Sequence, residues 1–175
     1  MASPKVLVVY YSQDGATRSV ANVLADELDC QVEELVETHE RAGKFAVLRS
    51  AYDGLLGRPA TLKRIRHRPE HFDLVVVGTP IWSAAVSAPV RTYLEQHRQG
   101  FRRLAFFATG TWFGAKRAFE QMAALAISRP AAVLAVYDRD LDSPEFLIRL
   151  RAYASRLRHV LRLPRRITES ELTAA

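Results

Sequence analysis

Uninterrupted apolar runs alternate with helical-period patterns along this chain. Val6 to Val9 contains no polar residue, and Phe72 to Val77 is apolar after its start. Leu104 to Ala108 and Ala131 to Tyr137 are similar. Such runs predict strands buried on both faces. Gln31 to Val36 alternates imperfectly and carries acids, which predicts an edge strand. Between the runs, Gly15 to Asp29 places Val20, Val23, Leu24 and Leu28 at helical spacing. Phe45 to Leu56 does the same, and Gly57-Arg58-Pro59 should end that helix. Gly78-Thr79-Pro80 should break the third strand. Ser87 is then the expected N-cap of a helix with Pro89 in its first turn and Val90, Tyr93 and Leu94 on its apolar face. Ala115 to Ile127 predicts a helix burying Phe119, Met122, Ala123 and Ala126. Ser143-Pro144-Glu145 opens a last helix running to about Leu161. Thr38 to Gly43 reads as a loop, the basic stretch up to Pro69 as irregular surface, and the tail after Pro164 as loosely held.

Strand and helix thus alternate five times, which predicts one α/β domain over residues 1–175, with a parallel sheet covered by helices on both faces. Ligands of such sheets bind beyond the carboxyl ends of the strands. Three loops lie there: Ser12 to Thr17, Thr79 to Ala84, and Thr109 to Gly114. The first is short, polar and centred on Gly15, directly before a helix. Its outward N–H groups, the helix dipole and the hydroxyls of Ser12 and Thr17 suit a phosphate. An ordinary capped βα turn has the same appearance. The chain has two tryptophans, Trp82 and Trp112, and each lies in one of the other two loops. That placement suggests walls around a flat ring, with packing onto neighbouring helices as the alternative.

Composition narrows the setting. Cys30 is the single cysteine, so no internal disulfide forms. This fits a reducing cytosol, with Cys30 as a buried or half-buried structural thiol. No apolar run is long enough to span a bilayer, and no signal-peptide pattern opens the chain, so a cytoplasmic location is expected. The net charge of +6 is mostly arginine, clustered at Lys63 to Arg68, Arg102–Arg103 and Arg149 to Arg166. A solvated surface is the preferred reading; no nucleic-acid module accompanies it, and a membrane surface is disfavoured. The histidines are scattered, with no spacing that supports a metal site.

The segments V-L-V-V-Y-Y-S-Q-D-G-A-T-R and F-D-L-V-V-V-G-T-P-I-W-S-A-A-V-S-A-P-V-R resemble the flavodoxin-like family of FMN-binding proteins. Element order and spacing follow that family over almost the whole chain. The resemblance implies a doubly wound, three-layer α/β/α fold with a five-stranded parallel sheet in the order 2-1-3-4-5, in a short-chain member. It implies that Ser12, Gln13, Asp14, Gly15, Ala16 and Thr17 grip the FMN phosphate. Thr79, Pro80, Ile81, Trp82 and Ser83 would lie against the isoalloxazine, with further ring contacts from Thr109, Gly110, Thr111 and Trp112.

The implied function is that of an FMN-dependent oxidoreductase or electron-transfer protein. Its electrons would come from a redox partner protein or NAD(P)H and pass to a small acceptor such as a quinone. No side chain need act as acid or base, so no catalytic residue is assigned. Asp14 departs from the common S/T-x-T-G-x-T pattern. A carboxylate beside a phosphate is repulsive unless it points away or pairs with a cation, and Arg18 is the nearest candidate. The D-G-x-T-R form is also similar to the loop of flavodoxin-like protoporphyrinogen oxidases. An interaction module with lost or weakened FMN binding is the alternative. The basic balance also departs from the acidic electron carriers of the family. Other classes lack their signatures. A receiver domain needs an acidic phosphate acceptor where Gly78-Thr79-Pro80 stands, and a dinucleotide-binding loop needs more glycines than Gly15. A low-molecular-weight phosphatase needs a loop cysteine, and Cys30 lies past the first helix.

Overall fold

Alternation of side chains on a strand decides what each face of this sheet buries. In β1 (Val6–Tyr10) all five residues are buried. Val6, Val8 and Tyr10 join the core under α1 (Ala16–Leu28), and Leu7 and Val9 join the core on the opposite face. The strand therefore needs apolar residues at every position, and its sequence supplies them. The computed structural model describes residues 3–38, 60–82, 84–141 and 143–162; the side chain of Trp82 lies outside the description.

β1 pairs in parallel with β2 (Gln31–Glu34) and with β3 (Leu74–Trp82). Beyond a two-residue strand, β4 (Ala85–Val86), come β5 (Leu104–Gly110) and β6 (Val133–Tyr137). The parallel order is β2-β1-β3-β5-β6, with β4 an antiparallel partner to the end of β3. Among the parallel strands this is the expected order. Two further helices, α2 (Ala88–His97) and α3 (Ala115–Ala126), cover one face. A short turn of helix, α4 (Asp138–Leu141), follows β6. The long α5 (Pro144–Arg162) then joins α1 on the other face. Ser143 caps α5 as its sequence predicts, its hydroxyl oxygen accepting from the Phe146 amide at 3.2 Å.

Several local expectations are corrected. Gly78-Thr79-Pro80 does not break the third strand, which runs on to Trp82. Gly78 directs its carbonyl towards β1, where it accepts from the Tyr11 amide at 3.2 Å. Pro80, two residues on, faces the same side, where β1 has already ended. Its missing N–H therefore costs no ladder bond, and pairing to β5 continues as far as Pro80 opposite Thr109. Gly78 is required for space, since a Cβ there would stand 2.0 Å from the Phe107 ring. Ser87 stands at the N-cap of α2, with Pro89 in the first turn as expected, but makes no side-chain cap bond. Its hydroxyl instead pairs with that of Thr79 at 3.1 Å. In α3 the deeply buried positions are Ala115, Ala118, Met122 and Ala126, and Phe119 and Ala123 are only partly buried. The fifth parallel strand starts at Val133, later than expected.

Side chains or irregular chain meet both outer strands. Just past the end of β2, Thr38 and Lys63 donate amides to the carbonyls of Thr61 and Val36. The basic stretch thus continues beside the edge strand as a strap. Glu33 on β2 is buried rather than solvent-facing. Its carboxylate accepts from the backbone amides of Arg66 and His67 and meets His67 Nδ1 at 2.6 Å. At the other margin, Asp140 accepts from the Tyr137 amide at 3.1 Å, and Arg149 donates to the Ala135 carbonyl at 2.6 Å. Arg149 and Asp140 also pair with each other at 2.9 Å. The expected helix at Phe45 to Leu56, its Gly57-Arg58-Pro59 stop, most of the loop from Thr38 to Gly43 and the tail after Pro164 fall outside the described residues. No described helix is long and apolar enough to cross a membrane.

Candidate functional site

Gly15 takes φ +96°, a conformation that side chains other than hydrogen rarely adopt, and this turns the chain from β1 into α1. The first amides of a helix have no partner within it. In this turn two loop amides are satisfied locally. The Ser12 hydroxyl accepts from Gly15 N at 3.2 Å, and the Asp14 carboxylate accepts from Ala16 N at 3.0 Å. Ser19 N returns to the Gly15 carbonyl. The amides of Thr17 and Arg18 between them make no hydrogen bond among the described residues. These two open donors, at the positive end of the α1 dipole, fit a phosphate group.

The charge around the turn departs from expectation. Arg18 does not pair with Asp14. Its guanidinium meets Glu34 at 2.6 Å, and Glu34 also accepts from the Tyr10 hydroxyl at 3.2 Å. Burial first, then Glu34, raises the Tyr10 phenol above its ordinary range, so it remains a donor. The Glu34 hydrogen bond raises Arg18 in turn. Asp14 accepts from the Ala16 amide by itself as an Asx turn. The turn therefore offers neutral donors and one intramolecular carboxylate, with Arg18, the cation nearest in sequence, committed to Glu34.

The third loop locks onto this turn, and the second is braced in its own right. Thr17 is fully buried, and its hydroxyl shares a hydrogen bond of 2.7 Å with that of Thr109. Thr79, also buried, uses its hydroxyl on the Pro80 carbonyl and on Ser87, so it braces the second loop and is not a free donor. Pro80, Ile81 and Trp82 form the end of β3, which turns at Ala84 (φ +59°) into β4. The third loop packs against that hairpin. A Cβ on Gly110 would lie 3.3 Å from Ile81, and one on Gly114 would lie 2.7 Å from the Cα of Ala84. Gly114 also has φ +100°. Small residues in these loops permit close approach of one loop to another.

Among the expected ring walls, Trp112 is 71% exposed, standing clear of the core at the carboxyl end of the sheet. Thr111 beside it is exposed as well. Ser83 and the Trp82 side chain lie outside the described residues. Sequence reasoning missed Phe113, which is 73% exposed next to Trp112. The W-F dipeptide in a polar loop was the available signal. It also missed Ala84, whose left-handed backbone shapes the hairpin.

A doubly wound sheet in this order, with a helix-N-terminal turn at the carboxyl ends of its strands, is a flavodoxin-like architecture. The sequence profile of NADPH-dependent FMN reductases matches residues 4–136, and the chain belongs to that family. No curated protein gives a significant sequence match. Solved structures support the fold. A flavoprotein from Lactobacillus acidophilus in complex with FMN shares 22% identity at a TM-score of 0.66, covering 80% of this chain and 97% of that one. A flavodoxin, WrbA-like protein from Agrobacterium tumefaciens shares 13% at 0.61, covering 91% and 98%. Oxidised Flavodoxin 2 from Bacillus cereus shares 16% at 0.57, covering 89% and 99%. FMN is the cofactor, and the protein is an FMN-dependent oxidoreductase or electron-transfer protein. When bound, FMN supplies the redox chemistry, exchanging electrons singly or in pairs, while the chain supplies position and electrostatics.

Proposed function

We propose that this chain is a cytoplasmic FMN-dependent oxidoreductase that draws electrons from a nicotinamide nucleotide and delivers them to a small acceptor such as a quinone. The observation that carries the reading is the bracing of three loops into one rim: Thr17 to Thr109, Thr79 to Ser87, and Gly110 against Ile81. In this reading Ser12, Gln13, Asp14, Gly15, Ala16 and Thr17 surround the phosphate. Thr79, Pro80, Ile81, Trp82 and Ser83 flank one side of the ring, with Thr109, Gly110, Thr111 and Trp112 on the other. Thr17, Thr79 and Thr109 contribute by fixing loop positions, because their hydroxyls already have partners. The open donors are backbone amides. The exposed Trp112 and Phe113 leave apolar surface at the lip for a second flat molecule.

The net charge of +6 favours anionic small molecules over the docking partners of acidic carriers. Gentle purification is expected to yield a yellow protein, or one that turns yellow with added FMN and quenches its tryptophan fluorescence on titration. A colourless protein that does not bind FMN refutes the reading. NADPH oxidation with a quinone, far faster than with free FMN, is the expected activity. Flavin binding without such turnover would instead assign the chain to electron transfer with a redox partner protein.

A further inference from the structure

We infer that Asp14 is a built-in competitor for the flavin phosphate, and that it sets how much the phosphate contributes to binding. The inference rests on the FMN-site reading above. The Asp14 carboxylate stands at 3.0 Å from the Ala16 amide, the first amide of α1. The two open amides follow immediately at Thr17 and Arg18. A phosphate taking those amides comes to rest beside a carboxylate that is already there. A flavin phosphate carries roughly −1.5 to −2 charges near neutral pH, and the helix dipole offers only about half a positive charge to share between the two anions.

Among the described residues no cation pairs with Asp14. Arg18, the nearest in sequence, is held by Glu34 at 2.6 Å, and Glu34 is itself fixed by the Tyr10 hydroxyl. Moving Arg18 to the phosphate would leave Glu34 without its charge partner. Of the hydroxyls, that of Thr17 is engaged with Thr109, and that of Ser12, which accepts from the Gly15 amide, keeps its own O–H to donate. The phosphate therefore adds less to affinity than this turn would give without the carboxylate. The specificity consequence is tolerance: FMN is preferred over riboflavin, which lacks the phosphate, by a smaller margin than with a neutral residue at position 14.

Asparagine at position 14 keeps a side-chain oxygen for the Ala16 amide and removes the charge, so Asp14→Asn isolates the electrostatic effect. Repulsion between charges a few ångströms apart across an exposed loop is of the size that one affinity decade represents. Apoprotein is titrated with FMN and with riboflavin, read by flavin fluorescence, for wild type, Asp14→Asn and Asp14→Thr. Thermal melts confirm that each variant folds. The expected result is FMN binding roughly tenfold tighter in Asp14→Asn, about 1.4 kcal/mol, with riboflavin affinity unchanged. The gain shrinks between about 0.02 M and about 0.5 M salt, because screening weakens the repulsion it removes. Asp14→Thr behaves similarly. An FMN-to-riboflavin ratio unchanged from wild type, with both flavins bound, overturns this inference alone. Equal tightening of both flavins overturns it too. No binding of either flavin by any variant overturns the site reading and this inference together.

Discussion

One shared hydrogen joins the first cofactor loop to the third, and its contribution can be isolated. Thr17 Oγ1 and Thr109 Oγ1 stand 2.7 Å apart, and both residues are buried. Valine has the shape of threonine without the oxygen. Thr17→Val therefore leaves the Thr109 hydroxyl buried and unpartnered, at a cost of about 1–3 kcal/mol, and Thr109→Val does the reverse. Replacing both removes the orphan, so the double variant falls close to wild type. The coupling energy in the cycle is then the sum of the two single losses, about 2–6 kcal/mol. Urea unfolding of the four apoproteins, followed by circular dichroism, measures it. With slopes of about 1–3 kcal/mol/M for small proteins, each single variant lowers the midpoint by roughly 1 M, and the double variant recovers most of that. Single losses below about 0.5 kcal/mol, or a double variant equal to the sum of the singles, would refute the reasoning.

Gly114→Ala meets both a positive φ and the Cα of Ala84 at 2.7 Å, whereas Gly15→Ala meets the φ alone, with nothing within 4 Å. Thermal melts are expected to show about 1 kcal/mol lost for Gly15→Ala and about 2–4 kcal/mol for Gly114→Ala. Burial first, then Asp29 and Asp26, pushes the Cys30 thiol from 9.0 to about 12. Native Cys30 is therefore expected to alkylate at pH 8 about a thousandfold more slowly than in the unfolded chain, because the thiolate is the nucleophile. The stability contributed by this neutral thiol is present below pH 9 and lost as pH climbs through about 12. The Tyr137 amide first, then Arg149, holds the Asp140 carboxyl below its ordinary 3.8. The stability from that carboxylate is full above about pH 4 and falls as pH drops through the lowered value. Asp140→Asn should thus lose less stability between about pH 5 and pH 3 than wild type in denaturant titrations. Arg149→Ala, which bares the Ala135 carbonyl, should elute from size exclusion as self-associated species.

The sheet was legible because its strands are buried on both faces, which removes ambiguity about the period of Val6 to Tyr10 or Leu74 to Val77. The three loops were legible from small residues, hydroxyls and tryptophans at strand ends. What escaped depends on partners far away in sequence. Pro80 looks like a strand breaker until β1 is known to stop beside it. Glu33 looks like an exposed edge acid until the amides of Arg66 and His67 arrive to fill its carboxylate. Ser87 is the N-cap that the sequence predicts, but Thr79 offers its hydroxyl a buried partner in place of the capping bond. Arg18 lies four residues from Asp14, yet β2 presents Glu34 at closer range. Helix periodicity put Phe119 in the core, whereas smaller Ala115 and Ala118 allow α3 to sit close to the sheet.

The Arg149–Asp140 pair occupies backbone groups at the β6 margin of the sheet. Pairing of another strand along that margin is thereby disfavoured. Among the described residues, the bulkiest apolar side chains left in solvent, Trp112 and Phe113, stand on the third loop at the carboxyl end of the sheet. On the proposed site, a macromolecule attracted by that aromatic surface covers the way in for small molecules, and specific activity is expected to fall as protein concentration rises.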